Sequence, residues 1–191
     1  MPLLTTQSAK GYGFSNLVAA PAAAGDYISL ASTVLGSNTN TYTFNSIPTG
    51  YKHLELRMSF FETADGDVRF TYNGDETSSN YTVHEIKGNG TSATPNNSNN
   101  LVSNQQMYNY PAPSETYPVS AVVLFADYLS TSKNKVQRVF MGIDTAGNGQ
   151  RVGYESQMWK NTSAITSIKI FANGSAKVFL AGSMFSLYGV K

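Results

Sequence analysis

Cysteine is absent from the 191 residues, so the chain has no disulfide framework, no thiolate metal site and no cysteine nucleophile. Histidine is scarce: His53 and His84 are the whole supply, which nearly excludes a multi-histidine metal centre. Charge is scarce as well. Asp, Glu, Lys and Arg make up 13% of the residues, against roughly 25% in ordinary globular domains. Thirteen cations against 12 anions leave a net charge of +1. No field of one sign draws in a phosphate backbone or an anionic lipid surface, so nucleic acid is not an expected partner. No run of 18 apolar residues occurs, and no helical membrane insertion is expected. Leu17 to Ala24 is Ala-rich, but Pro21 interrupts it and no basic stretch leads into a continuous apolar run, so it reads as an arm or linker rather than a secretory leader.

What is present is β-forming pattern. His53 to Phe60 alternates cleanly, with Leu54, Leu56, Met58 and Phe60 on one face and polar residues on the other, as a half-buried strand requires. Thr41 to Phe44 does the same before a turn at Ile47 to Gly50, and Asp67 to Asn73 alternates through Val68, Phe70 and Tyr72. Asn73-Gly74 is a strong hairpin signal, and Asn80 to Lys87 is the strand expected after it. Val119 to Phe125 is apolar on both faces and is expected at the centre of a sheet. Val136 to Ile143, Gln150 to Trp159, Ile165 to Phe171 and Met184 to Val190 complete eight to ten strands, with turns at 144–149 and at Asn173-Gly174. Turn signals every 8–12 residues or so and no helical periodicity predict an all-β antiparallel sandwich, jelly-roll-like, over residues 27–191.

Residues 1–26 differ from the remainder. They are rich in Ala, Thr and Ser, hold only Lys10 and Asp26 as charges, and carry Gly11-Tyr12-Gly13-Phe14. They are expected to form an extended arm that docks on a partner through Tyr12, Phe14 and Leu17. A second long segment, 88–117, combines an Asn/Ser/Thr-rich stretch with a possible short strand around Leu101 to Tyr108. Its Tyr108, Tyr110 and Tyr117 are candidate contacts for a partner or a receptor.

Chemistry is sparse. There is no nucleophile elbow, phosphate loop or zinc-protease helix. Acidic turns at Asp65 to Asp67 and Asn73 to Glu76 leave two readings open, ordinary turn chemistry or a bound cation, although the spacing is not that of an EF-hand. Asp144 with Asn148 presents the same choice. Trp159, near Tyr154 and Met158, is either packing or a sugar-stacking platform. No catalytic residue, cofactor or metal ligand is assigned, and an enzyme is not expected.

Five segments taken in order are more specific than any one alone: Thr43 to Arg57, Phe70 to Asp75 with Ser79-Asn80-Tyr81, Asp127 to Lys135, Trp159 to Ile168, and the ending Phe185-Ser186-Leu187-Tyr188-Gly189-Val190-Lys191. Together they resemble a β-sandwich module of tailed-bacteriophage virion proteins, found in capsid-decoration and tail-fibre components. The resemblance implies a non-enzymatic structural protein on the outer surface of a phage particle. Its implied partners are the major capsid protein or the tail proteins of the same virion. A capsid decoration or cement protein bound through the arm is the first expectation. A tail-fibre or receptor-binding protein touching a host surface glycan through 88–117 is the alternative. Closed symmetry being the norm for such assemblies, a homotrimer is expected.

Overall fold

The computed structural model describes residues 26–63, 67–99, 105–107, 116–146, 150–174 and 176–191. Apart from Asp26, the arm expected at 1–26 lies outside the described residues. Twelve strands occur among those described: β1 (Tyr27–Val34), β2 (Thr41–Phe44), β3 (His53–Phe60), β4 (Val68–Tyr72), β5 (Tyr81–Gly88), β6 (Ala93–Asn99), β7 (Gln105–Met107), β8 (Val119–Ala126), β9 (Lys135–Ile143), β10 (Arg151–Trp159), β11 (Ile168–Ala172) and β12 (Met184–Val190). One 3-10 turn, Ser78–Asn80, precedes β5.

The strands form two antiparallel sheets. The larger has the order β1-β12-β3-β8-β9-β10-β5-β6 and the smaller β2-β11-β4-β7. Period-2 alternation decides which side of each strand is buried. Leu54, Leu56, Met58 and Phe60 of β3, Val119, Val123 and Phe125 of β8, and Phe185 and Leu187 of β12 point inward from the large sheet. They meet Phe44, Val68, Phe70, Tyr72, Ile168 and Ile170 from the small one in a single hydrophobic cluster. Aromatic contacts bridge the layers: Tyr42 stacks on Phe185 at 5.5 Å and Tyr72 meets Phe125 edge-on at 5.9 Å. The all-β antiparallel sandwich expected from the sequence is the observed architecture.

Several local expectations change. Asn73-Gly74 does not close a hairpin, because β4 and β5 belong to different sheets. Both residues have the positive φ of a tight turn. The Asn73 side chain, however, is held by the segment leading into β11, the neighbour of β4 in the small sheet: its Oδ1 accepts from the backbone N–H of Thr166 and Ser167, and its Nδ2 donates to the Ala164 carbonyl. The turn is thus fixed to the small sheet, and the chain crosses to the large sheet between it and β5. The segment 88–117 is less of a loop than expected. β6 folds back on β5 in register from Gly88↔Ala93 to Thr82↔Asn99, through a turn capped by the Asn89 side chain, and β7 pairs with β4. The run Ile165 to Phe171 becomes strand only from Ile168, since Ile165 to Ser167 is occupied with loop hydrogen bonds. Val119–Ala126 does lie near the centre of its sheet, but only its inner side is buried, and Val122 and Leu124 are exposed.

Candidate functional site

The five resembling segments converge at one end of the sandwich, where β2, β4, β8 and β10 end and β3, β5, β9 and β11 begin. Loops from both sheets are tied together there. The backbone N–H of Ile47 donates to Thr166 O, that of Ile165 to Tyr128 O and that of Lys160 to Asn80 O, while the Tyr128 hydroxyl donates to Pro48 O. At β12, Gly189 leaves its backbone open to the ring of Tyr51, and a Cβ there would lie 2.4 Å from ring carbons. Beside it, Lys191 N–H donates to Asp26 O, so the 25 residues before Asp26 join the sandwich at this tied end.

Asp75 is the hub. Its Oδ1 accepts from Thr77 N–H at 3.0 Å, and its Oδ2 accepts from Asn80 Nδ2 at 2.8 Å and Trp159 Nε1 at 2.7 Å. The Tyr81 hydroxyl donates to its carbonyl at 2.6 Å. Burial alone would raise this carboxyl, but the hydrogen bonds from Trp159, Asn80 and Thr77 outweigh it and hold the pKa below the ordinary value. Lys135, buried at the start of β9, caps three carbonyls: Nζ donates to Ser130 O at 2.5 Å and to Lys133 O and Thr162 O at 2.9 Å. Burial lowers its pKa. Replacing Lys135 by Met keeps the stem and leaves those carbonyls without their donor, so Lys135→Met is expected to lose about 2 kcal/mol of stability. Urea unfolding measures it, and a loss below roughly 0.5 kcal/mol would mean that water replaces the ammonium freely.

Between the sheets runs a polar ladder. The Tyr72 hydroxyl donates to Gln137 Oε1 at 2.5 Å, Gln137 Nε2 to Gln157 Oε1 at 2.5 Å, and Gln157 Nε2 to Glu155 Oε2. All four residues are buried. Burial pushes the Tyr72 hydroxyl well above its ordinary pKa, so it stays a donor. Glu62, just beyond β3 and bridged to Phe179, is 1% exposed, and neither carboxylate oxygen has a hydrogen-bond partner. Burial raises its pKa to about 7, with Lys177 pulling down and Asp67 pushing up.

The described acidic side chains of these turns are engaged by protein donors. Besides Asp75, Asp67 Oδ2 accepts from Arg69 and Asn173, Glu76 pairs with Lys169 at 2.8 Å, and Asp144 Oδ1 accepts from Ala146 N–H. Asp65 and Asn148 lie outside the described residues. Among the described residues no three His, Asp or Glu side chains cluster as a metal site. His53 Nδ1 accepts the Asp127 N–H at 3.0 Å, so its other nitrogen carries the proton, and the Asp127 carboxylate stands 3.8 Å away. Neither histidine is hydrogen-bonded to a hydroxyl nucleophile among the described residues. Trp159 is 1% exposed and packs against Tyr72 at 5.5 Å, which makes it a core residue rather than a stacking platform.

Of the candidate contact residues, Tyr12, Phe14, Leu17, Tyr108 and Tyr110 lie outside the described residues. Tyr117 is half-buried and packs on the hydrophobic cluster. No match to this chain is found among known family models, curated proteins or solved structures.

Proposed function

We propose that this protein is a non-enzymatic bacteriophage virion structural protein, a decoration or cement protein held on the outer capsid shell by its N-terminal arm. The observation that carries the reading is the tied end. The resembling segments meet there in hydrogen bonds to one another, and many of their polar groups are spent on fixing loops. The first 25 residues join at that same end, beside the Phe185-to-Lys191 strand. A rigid domain with a low-charge arm leaving its most constrained end suits a protein that grips a lattice by the arm.

The strand order supports a jelly roll. With β5–β6 and β9–β10 taken as inserted hairpins, the remaining eight strands lie as β1-β12-β3-β8 and β2-β11-β4-β7, the order that nested Greek keys generate. Viral capsid domains and lectins share that architecture, which leaves the function to be argued from the arm and the tied end. A cement protein binds the assembled shell and not its unfolded subunits, and so stabilises it by mass action.

Deleting residues 1–25 tests this. The shortened chain is expected to keep its circular dichroism and unfolding temperature while losing co-sedimentation with phage shells. Retained co-sedimentation would overturn attachment by the arm. Loss of host adsorption from otherwise intact particles, on substitution within 88–117, would favour the receptor-binding alternative.

A further inference from the structure

Among the described residues, no layer packs on the outward side of the large sheet over β8, β9, β10 and β5. Each strand contributes four outward positions in register, and of these only Arg138 carries a formal charge. One row across the strands is large and exposed: Val122, Phe140, Tyr154 and Ile86, directly paired from strand to strand. Phe140 is 58% exposed and Tyr154 48%. The next row is smaller: Ser120, Gly142, Val152 and Gly88. Gly142 lacks a side chain between Ser120 and Val152. There the surface sinks into a shallow hollow of about 340 Å³, walled in part by Arg57, Val122 and Phe140. A knob and a hollow thus lie two residues apart on β9.

We propose that this face is a two-fold interface between two copies of the chain, in which Phe140 of each enters the hollow over Gly142 of the other. A two-fold axis lying between the sheets, across the strands and level with Met141, sends position 140 onto 142 and 138 onto 144. The large row of one copy then covers the small row of the second along all four strands. The two sheets pack with antiparallel, near-aligned strands, an ordinary geometry for sheet-on-sheet contacts. Charge obeys the same operation: Arg138, the single charged outward residue, lands opposite Asp144 of the second copy, which is exposed at the next outward level beyond the end of β9. Reciprocal contact of unlike positions is what an isologous interface requires. With the axis level with Met141, the rows at 140 and 142 overlap on all four strands. Four strands about 4.8 Å apart and two outward positions about 6.8 Å apart cover roughly 260 Å² per copy, the size of a weak, reversible contact. A charge-poor centre with aromatic residues and arginine is the composition of an interface core. This inference does not rest on the virion reading.

Sedimentation equilibrium of the full chain tests it. The wild-type chain is expected to form a dimer, or a dihedral assembly built from dimers. Phe140→Ala removes the knob, and Gly142→Leu fills the hollow. Neither should unfold the domain, because Phe140 is exposed and a Cβ at 142 lies 3.6 Å from the nearest atom, Arg151 O, an ordinary contact. Each variant alone is expected to weaken dimerisation about 100-fold. An equimolar mixture of the two is expected to recover about tenfold of that, since Phe140 of one variant can enter the open hollow of the other. A wild-type monomer or cyclic trimer would overturn the proposal. So would a dimer indifferent to both substitutions, or a mixture no stronger than its parts.

Discussion

Replacing Trp159 by Ala is expected to remove about 4 kcal/mol of folding stability, a large fraction of the roughly 5–15 kcal/mol a domain holds in reserve. The indole is 1% exposed, its ring packs on Tyr72 at 5.5 Å, and its Nε1 donates to Asp75 Oδ2 at 2.7 Å. Truncation therefore opens a cavity between the sheets and removes one of the donors that fix the β4–β5 crossing. Trp159→Phe retains most of the ring and loses the donor, so roughly 1.5 kcal/mol is expected. Asp75→Asn weakens the same bond from the other side. The double variant should therefore show a coupling of about 1 kcal/mol with Trp159→Phe in guanidinium unfolding. A Trp159→Ala loss under about 1 kcal/mol would mean that the tied end is not a structural centre of the fold.

The second large effect is a pH dependence set by Glu62. In the folded chain its carboxyl keeps its proton to about pH 7, against 4.5 ordinarily, because burial penalises the charged form. Between those values the folded state binds one proton more than the unfolded state, so stability falls as pH rises, by up to about 1.4 kcal/mol per pH unit. The contribution of the neutral carboxyl is fully present below pH 4.5 and gone above pH 7, a loss of about 3 kcal/mol across the window. Asp75 works in the opposite sense. Its pKa is depressed, so its contribution is present above the unfolded value of 3.8 and is lost as pH falls through the folded one. Together the two place maximum stability in mildly acid solution. Glu62→Gln holds a neutral isostere in the same site. It should flatten the profile between pH 4.5 and 7 and leave the variant about 3 kcal/mol more stable than wild type at pH 8. An unchanged slope in urea midpoints measured across that range would show that Glu62 is solvated in the folded state.

Alternation in His53 to Phe60 and Val119 to Phe125 is enough to read the sandwich from the sequence, since period 2 survives wherever one face is buried. It does not say which sheet a strand joins. Asn73-Gly74 has hairpin chemistry, yet the next strand joins the other sheet, and the partners of the Asn73 side chain are residues 164 to 167, distant in sequence beside β4 in the small sheet. The Asn- and Ser-rich run that becomes β6 has little strand propensity; it is held by pairing along β5 rather than by its own composition. The buried polar groups were the least legible. Lys135 and Gln137 share the inward phase of Val139, Met141 and Ile143, as Glu155 and Gln157 share that of Trp159. Polar residues at the core phase were the available signal, but their partners are distant in sequence. The outward face was hidden for a related reason: Val122, Phe140, Tyr154 and Ile86 become one row only after four strands are set in register.

The measurement that bears most directly on the virion reading is the copy number of this chain in purified phage particles, relative to the major capsid subunit, by quantitative mass spectrometry. A ratio near one to one or one to two is the expected result for a protein that covers the shell. A handful of copies in multiples of three or six would contradict decoration and place the chain on the tail, and its absence from particles would contradict a virion role altogether.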